Sequence, residues 1–119
     1  MGSKLLDIQT REDIKRFLSR FYDKAQKDDV LVEKFSNLDM AQHIEVITDF
    51  WDSILFGSNR YLGDPFGKHV PMQLKEIHFN RWVMLFTETA DELFVGDVVS
   101  EMKHRATTIA QVFKYKLTS

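Results

Sequence analysis

Cysteine is absent from the 119 residues. That removes disulfides, zinc–thiolate clusters, thiolate ligation of a metal and cysteine nucleophiles together. A basic excess is also lacking: 16 Lys and Arg face 18 Asp and Glu, for a formal charge of −2, so sequence-independent phosphate binding has no electrostatic basis and nucleic acid is not an expected partner. No apolar run approaches the ~18 residues that a bilayer span needs. The start, Met1-Gly2-Ser3-Lys4-Leu5-Leu6-Asp7, has neither the charged region nor the long apolar region of a secretion signal. A cytoplasmic setting with no membrane partner is therefore expected, with a monomer as the default state. Proline is scarce, with two residues, and the five glycines include no adjacent pair. Alternating strand patterns, internal repeats and low-complexity segments are missing too, and a chain of this length supports one domain with little core to spare.

What the chain has in quantity is aromatic surface: ten Phe, three Tyr and two Trp. Each such side chain can bury on the order of 150–250 Å², so the interior either packs very tightly or surrounds something flat. The pattern is helical throughout, and the expected class is all-α. Residues 1–9 are expected to be a flexible start. Thr10 and Asp13 form a capping-box-like beginning, and Ile14, Phe17, Leu18, Phe21, Tyr22 and Ala25 then share one face, which predicts a helix over about 10–27. Val30 to Phe35 reads as one or two turns. Asp39, with Gln42 three residues on, opens a second helix whose His43, Ile47, Phe50, Trp51 and Ile54 lie on one stripe until Gly57 stops it. A third helix is expected over about 74–87 and a fourth over about 91–116, with Gly96 weakening the latter's start.

Between Gly57 and Met72 lie three glycines and both prolines. A loop of that length without its own structure is uncommon in a compact domain unless it binds something. It carries His69, and the aromatic segment His78-Phe79-Asn80-Arg81-Trp82-Val83-Met84-Leu85-Phe86 follows. An imidazole on a loop, followed by an apolar aromatic helix, is the pairing a buried transition-metal cofactor requires: one fixed ligand and a dry wall. Three polar-tipped residues sit on apolar stripes, namely Tyr22, His43 and Trp82. Taken singly, each reads as a core residue with a satisfied polar atom. Taken together in one cavity, they would cost ~1–3 kcal/mol for each group left unpaired, a cost that a hydrogen-bond-accepting ligand would remove. His78 is a second candidate for the ligand role, whereas His104, in Lys103-His104-Arg105, reads as a solvated helix residue. Asp52, Asp91 and Glu92 read as helix-surface or helix-start charges.

The ordered set Phe21-Tyr22, Phe35, His43, Phe50-Trp51, Arg60-Tyr61-Leu62-Gly63-Asp64-Pro65, Lys68-His69 and Trp82 resembles the truncated haemoglobins, and within them the third group. The lack of adjacent glycines agrees with that group. The resemblance, running from about Phe21 to Phe113, implies a shortened globin: a two-over-two helical sandwich, in antiparallel pairs, enclosing haem b (iron protoporphyrin IX). It implies His69 as the metal ligand. It further implies a haem pocket of Phe35, Ile47, Phe50, Trp51, Arg60, Tyr61, Phe66, Lys68, His69, Trp82 and Phe86, with Arg60 and Lys68 either facing the propionates or remaining ordinary loop charges. Tyr22, His43 and Trp82 would be the distal residues that stabilise oxygen or another diatomic ligand. Oxygen binding or transport follows as the expected function, extended by analogy to nitric oxide dioxygenation or peroxide turnover with a reductase as partner. The same residues also admit a cofactor-free helical interaction module, in which the aromatic stripes form a bundle core or a partner groove.

Overall fold

A computed structural model describes residues 5–35, 38–59, 61, 63 and 72–118. Its elements are α1 (Arg11–Gln26), a 3₁₀ turn (Val32–Phe35), α2 (Met40–Phe56), α3 (Glu76–Leu93) and α4 (Asp97–Thr118). Among the described residues there is no strand, and no helix is long and apolar enough to cross a membrane.

The first two helices begin and end where their sequences dictate. Thr10 accepts from the Asp13 N–H at 3.3 Å while the Asp13 carboxylate accepts from the N–H of Thr10 at 3.2 Å, so two orphan donors of the first turn are satisfied reciprocally. The predicted face of α1, from Ile14 to Ala25, is buried. Asp39 caps α2 by accepting from the Gln42 N–H. Gly57 ends it at φ 68°, a left-handed conformation that only glycine takes without a Cβ penalty, and its N–H returns to the Ser53 carbonyl.

α1 packs against both α2 and α3, and α3 packs against α4. The seam is aromatic. Phe17, Phe21 and Phe86 are at most 1% exposed, and the Phe17 and Phe86 rings meet edge to face at 4.7 Å. Each contributes about 1.5–3 kcal/mol of transfer free energy on burial. Ion pairs lace the outside: Arg11 reaches Asp49 at 2.6 Å, Lys15 pairs with Glu45, and Lys24 reaches Glu92 at 2.9 Å. At such exposed positions each pair adds at most about 1 kcal/mol. Asp52 departs from its expected surface place. It is 5% exposed, beneath Arg11 at 3.6 Å, because the long guanidinium folds over the α2 face and supplies positive charge there.

The boundary between the last two helices also differs from expectation. α3 runs on to Leu93, and α4 begins only at Asp97. Phe94 turns extended (φ −141°, ψ 159°), is 3% exposed and lies under the Arg16 guanidinium at 4.8 Å. Burial of Phe94 in the core sets the break. Gly96 then occupies the N-cap position, its carbonyl accepting from the Ser100 N–H, but it has no side chain with which to cap. Asp7 supplies that function from the other end of the chain, accepting from the N–H groups of Val98 and Val99 at 2.8 and 2.9 Å. Although burial pushes the other way, these N–H groups, with those of Ile8 and Asp97, hold the Asp7 carboxyl below its ordinary pKa.

Of residues 1–9, expected to be flexible, residues 5–9 are tied down in this way. Ile8 is 1% exposed, and Leu6 pairs with the Phe94 region through the Val95 N–H. Gly96 has φ 145°, and a Cβ there would stand 2.4 Å from the Asp7 carboxyl carbon. Asp7→Ala is expected to cost about 0.5–2 kcal/mol as a lost cap. Gly96→Ala is expected to cost more than ~1 kcal/mol, from clash and backbone strain together. Denaturant unfolding checks both; equal stability in either variant would remove this junction from the account.

Candidate functional site

A cavity of about 770 Å³ opens between α1, the 3₁₀ turn, α2, α3 and α4, within the usual ~300–1,000 Å³ of a ligand site. Each helix contributes the stripe its periodicity predicts. α1 gives Tyr22; the turn gives Phe35; α2 gives His43, Ile47, Phe50 and Trp51; α3 gives Trp82 and Phe86; and Tyr61 follows α2. All of these were legible as candidates in the sequence, and the fold brings them onto one cavity. Arg60, Phe66, Lys68 and His69 lie outside the described residues.

The walls are built from rings held by other rings. Tyr22 meets His43 edge-on at 4.8 Å and Phe35 at 5.7 Å. Trp82 lies against Phe86 at 4.9 Å and edge-on to Phe21 at 5.8 Å. Trp51 lies 5.5 Å from Phe86, and Phe50 stands edge-on to Tyr61 at 5.2 Å. Tyr61 is anchored by its N–H to Ser53 Oγ at 3.0 Å. Such offset and edge-to-face contacts fix ring orientation as well as bury area. The cavity is therefore broad and aromatic-walled, with Glu33, Lys34, Asp39 and Gln42 on its lining as well as the polar tips of Tyr22, His43, His78 and Trp82.

Those tips have defined electrostatics. Tyr22 is 6% exposed, and burial pushes its phenol well above the ordinary value; it stays protonated at any physiological pH and retains an O–H to donate. His78 is 7% exposed, and its Nδ1 accepts from the Lys75 N–H at 2.8 Å. Burial and the positive charges of Lys34 and Lys75 outweigh the opposing influence of Glu33 and of the Lys75 backbone contact and hold its pKa below the ordinary value. His78 thus serves as the cap of α3, a role its position at the third residue of that helix could have signalled. It also lines the cavity, as do Leu18 from the expected apolar face of α1, Phe113 from that of α4, and Leu31, Met72 and Leu74, which as single apolar residues carry no chemical signature. His104 is exposed and borders a separate shallow depression with Glu101 and Arg105. Asp91 and Glu92 are surface residues paired with Lys103 and with Arg20 and Lys24.

An aromatic-lined cavity of this volume with N–H and O–H donors on its walls suits a flat, largely apolar ligand that accepts hydrogen bonds. The volume and the aromatic lining described here fit a tetrapyrrole. Among the described residues, no group of three or more His, Cys, Asp or Glu could hold a metal ion unaided.

Comparison with known proteins agrees with this architecture. The profile of the bacterial-like globins matches residues 7–116. The chain is 28% identical over 114 residues to a group 3 truncated haemoglobin of Campylobacter jejuni, covering 90% of each. It is 34% identical over 80 residues to a group 1 truncated haemoglobin of Tetrahymena pyriformis, covering 66% of each. The crystal structure of a group III truncated haemoglobin from Campylobacter jejuni superposes with a TM-score of 0.89 at 27% identity, over 98% of this chain and 97% of that one. The truncated haemoglobin of Tetrahymena pyriformis in its Fe(III) form gives 0.73 at 27% identity, over 89% of each. With the fold, the cavity and these likenesses in agreement, the chain belongs to the bacterial-like globin family, and within it resembles the third group of truncated haemoglobins.

Proposed function

We propose that this chain holds haem b in the aromatic cavity, with His69 as the metal ligand, and reversibly binds oxygen and other diatomic ligands. Bound there, haem supplies an iron with one open coordination position. The observation that carries the reading is the convergence of Tyr22, His43 and Trp82 on one aromatic-walled cavity. Family membership and the names of the relatives support it.

The chain's own residues then have distinct tasks. Phe35, Ile47, Phe50, Trp51 and Phe86 exclude water and hold the ring plane. Tyr61 stands edge-on to Phe50 at the cavity; Arg60 and Lys68 are assigned to the propionates, a charge-assisted contact, and Phe66 to the apolar lining. Tyr22 holds its proton at Oη, and Trp82 holds one at Nε1, so both are donors to a ligand that carries partial negative charge. His43, edge-on to Tyr22, acts as the gate or as a third donor. A donor-rich pocket retains oxygen too firmly for simple carriage, which favours redox or detoxifying use, nitric oxide dioxygenation or peroxide turnover, with a reductase as partner in the cytoplasm.

Replacing Tyr22 by Phe tests this directly. Loss of one donor to a partly charged acceptor, worth ~1.5–3 kcal/mol, is expected to speed oxygen release by more than about tenfold in stopped-flow displacement. An unchanged off-rate would remove Tyr22 from the ligand. Mixing the oxygenated protein with nitric oxide in the presence of a reductase distinguishes turnover from storage: repeated cycles support the enzyme, and a single stoichiometric event supports a store or sensor.

A further inference from the structure

At the cavity rim, two hydrogen bonds bracket a strained residue. Gln73 has φ 54°, a left-handed conformation that a side-chain-bearing residue other than Asn or Asp adopts only when its surroundings impose it. On its N-terminal side, Lys34 reaches across from the 3₁₀ turn, and its Nζ donates to the Met72 carbonyl at 3.0 Å. On its C-terminal side, the Lys75 N–H donates to His78 Nδ1 at 2.8 Å. Lys34, Met72 and His78 all line the cavity, so the first bond ties its turn wall to the residues leading into α3 and the second fixes the start of α3 itself.

The second bond depends on the proton state of one ring. To accept at Nδ1, a neutral imidazole must carry its proton on Nε2; an imidazolium has no lone pair left there and would set an N–H against the Lys75 N–H. The charged groups facing His78 are Lys34 and Glu33 from the turn and Lys75 from its own helix start. Protonation would therefore remove the cap of α3 and add a third positive charge beside two lysines, with Glu33 as the opposing charge among the described residues.

We infer that Lys34, Met72, Gln73, Lys75 and His78 form a proton-sensitive clasp on the cavity rim, closed while His78 is neutral and released when it takes up a proton. The inference rests on the functional reading above in naming haem as the molecule the clasp retains. The sign follows from linkage. The folded ring binds its proton at lower pH than the unfolded ring, so the clasp is intact above about pH 6.5 and is progressively lost as pH falls from there through the lowered folded pKa.

The test uses the full chain loaded with hemin and mixed with excess apomyoglobin as a scavenger, the transfer rate being read from pH ~7.5 down to ~5. Each pH unit above the folded pKa and below the unfolded one is expected to multiply the open fraction by about tenfold, and hemin transfer should accelerate accordingly. In His78→Gln, the amide oxygen at the same helical position can still accept the Lys75 N–H but does not titrate, so the acceleration is expected to flatten. Lys34→Met is expected to transfer hemin faster at every pH. Identical pH profiles for wild type and His78→Gln would overturn the clasp. If the chain takes up no hemin, the functional reading fails, and Lys75 amide exchange in the hemin-free chain tests the clasp instead. Protection of that amide, taken relative to its intrinsic exchange at each pH, that falls in mild acid in wild type but not in His78→Gln supports it; protection that stays unchanged in wild type overturns it.

Discussion

The His69→Ala chain is expected to lose tight, ordered haem binding, with hemin retained far more weakly and without the spectrum of a histidine-ligated ferrous iron. Removing outer-sphere partners of a metal ligand already costs about 10–100-fold in affinity, and removing the ligand itself should cost more. Four histidines could in principle compete. His43 stands edge-on to Tyr22, His104 is exposed on α4, and His78 has Nδ1 committed to the Lys75 N–H. His69 is the histidine of the glycine- and proline-rich stretch of sequence that precedes α3. The paired control is His78→Gln, which should keep the ferrous spectrum. Added imidazole should partly restore the spectrum of His69→Ala, because a free ring can enter the space the side chain vacates. An unaltered ferrous spectrum in His69→Ala would assign the ligand elsewhere, and loss of the spectrum in His78→Gln alone would move it to α3.

Phe21→Ala is expected to lower stability by ~3–5 kcal/mol, the range for truncating a fully buried phenylalanine. Phe21 is fully buried and touches Phe17, Tyr22, Trp82 and Phe86. It thus joins the α1–α3 seam to the two donors of the cavity. A loss of that size is a large share of the ~5–15 kcal/mol that holds a typical domain together. The variant should therefore unfold at much lower denaturant concentration and, where still folded, hold Tyr22 and Trp82 loosely. A change below about 1 kcal/mol in chemical denaturation would mean that the seam repacks freely, contrary to a core of interlocked rings.

How far the sequence discloses this molecule depends on how local each determinant is. α1 and α2 were legible to within a residue or two, because Thr10 with Asp13, Asp39 with Gln42, and Gly57 act within a single helical turn. The α3–α4 break was not legible. Gly96 occupies the cap position without a capping side chain, and the group that takes its place, Asp7, lies 91 residues before Val98. Asp52 was misread for a similar reason, since its charge partner Arg11 sits on another helix.

The cavity divides along the same line. Tyr22, His43, Trp51, Trp82 and Phe86 declare themselves as polar-tipped or aromatic residues on apolar stripes, and the stripes converge once the helices pack. The rim does not declare itself, because the bond from Lys34 to Met72 spans 38 positions and ends on a backbone carbonyl, which has no signature in a sequence. His78 was noticed for its imidazole but not for its capping role, which needed the start of α3 to be placed at Glu76.

The most direct measurement is the visible absorption spectrum of the purified, hemin-reconstituted chain, reduced and then exposed to carbon monoxide. The account predicts stoichiometric hemin uptake, a ferrous spectrum of a five-coordinate, histidine-ligated iron, and a sharp, intense Soret band once carbon monoxide fills the open position. A folded protein that stays colourless and takes up no added hemin would contradict it.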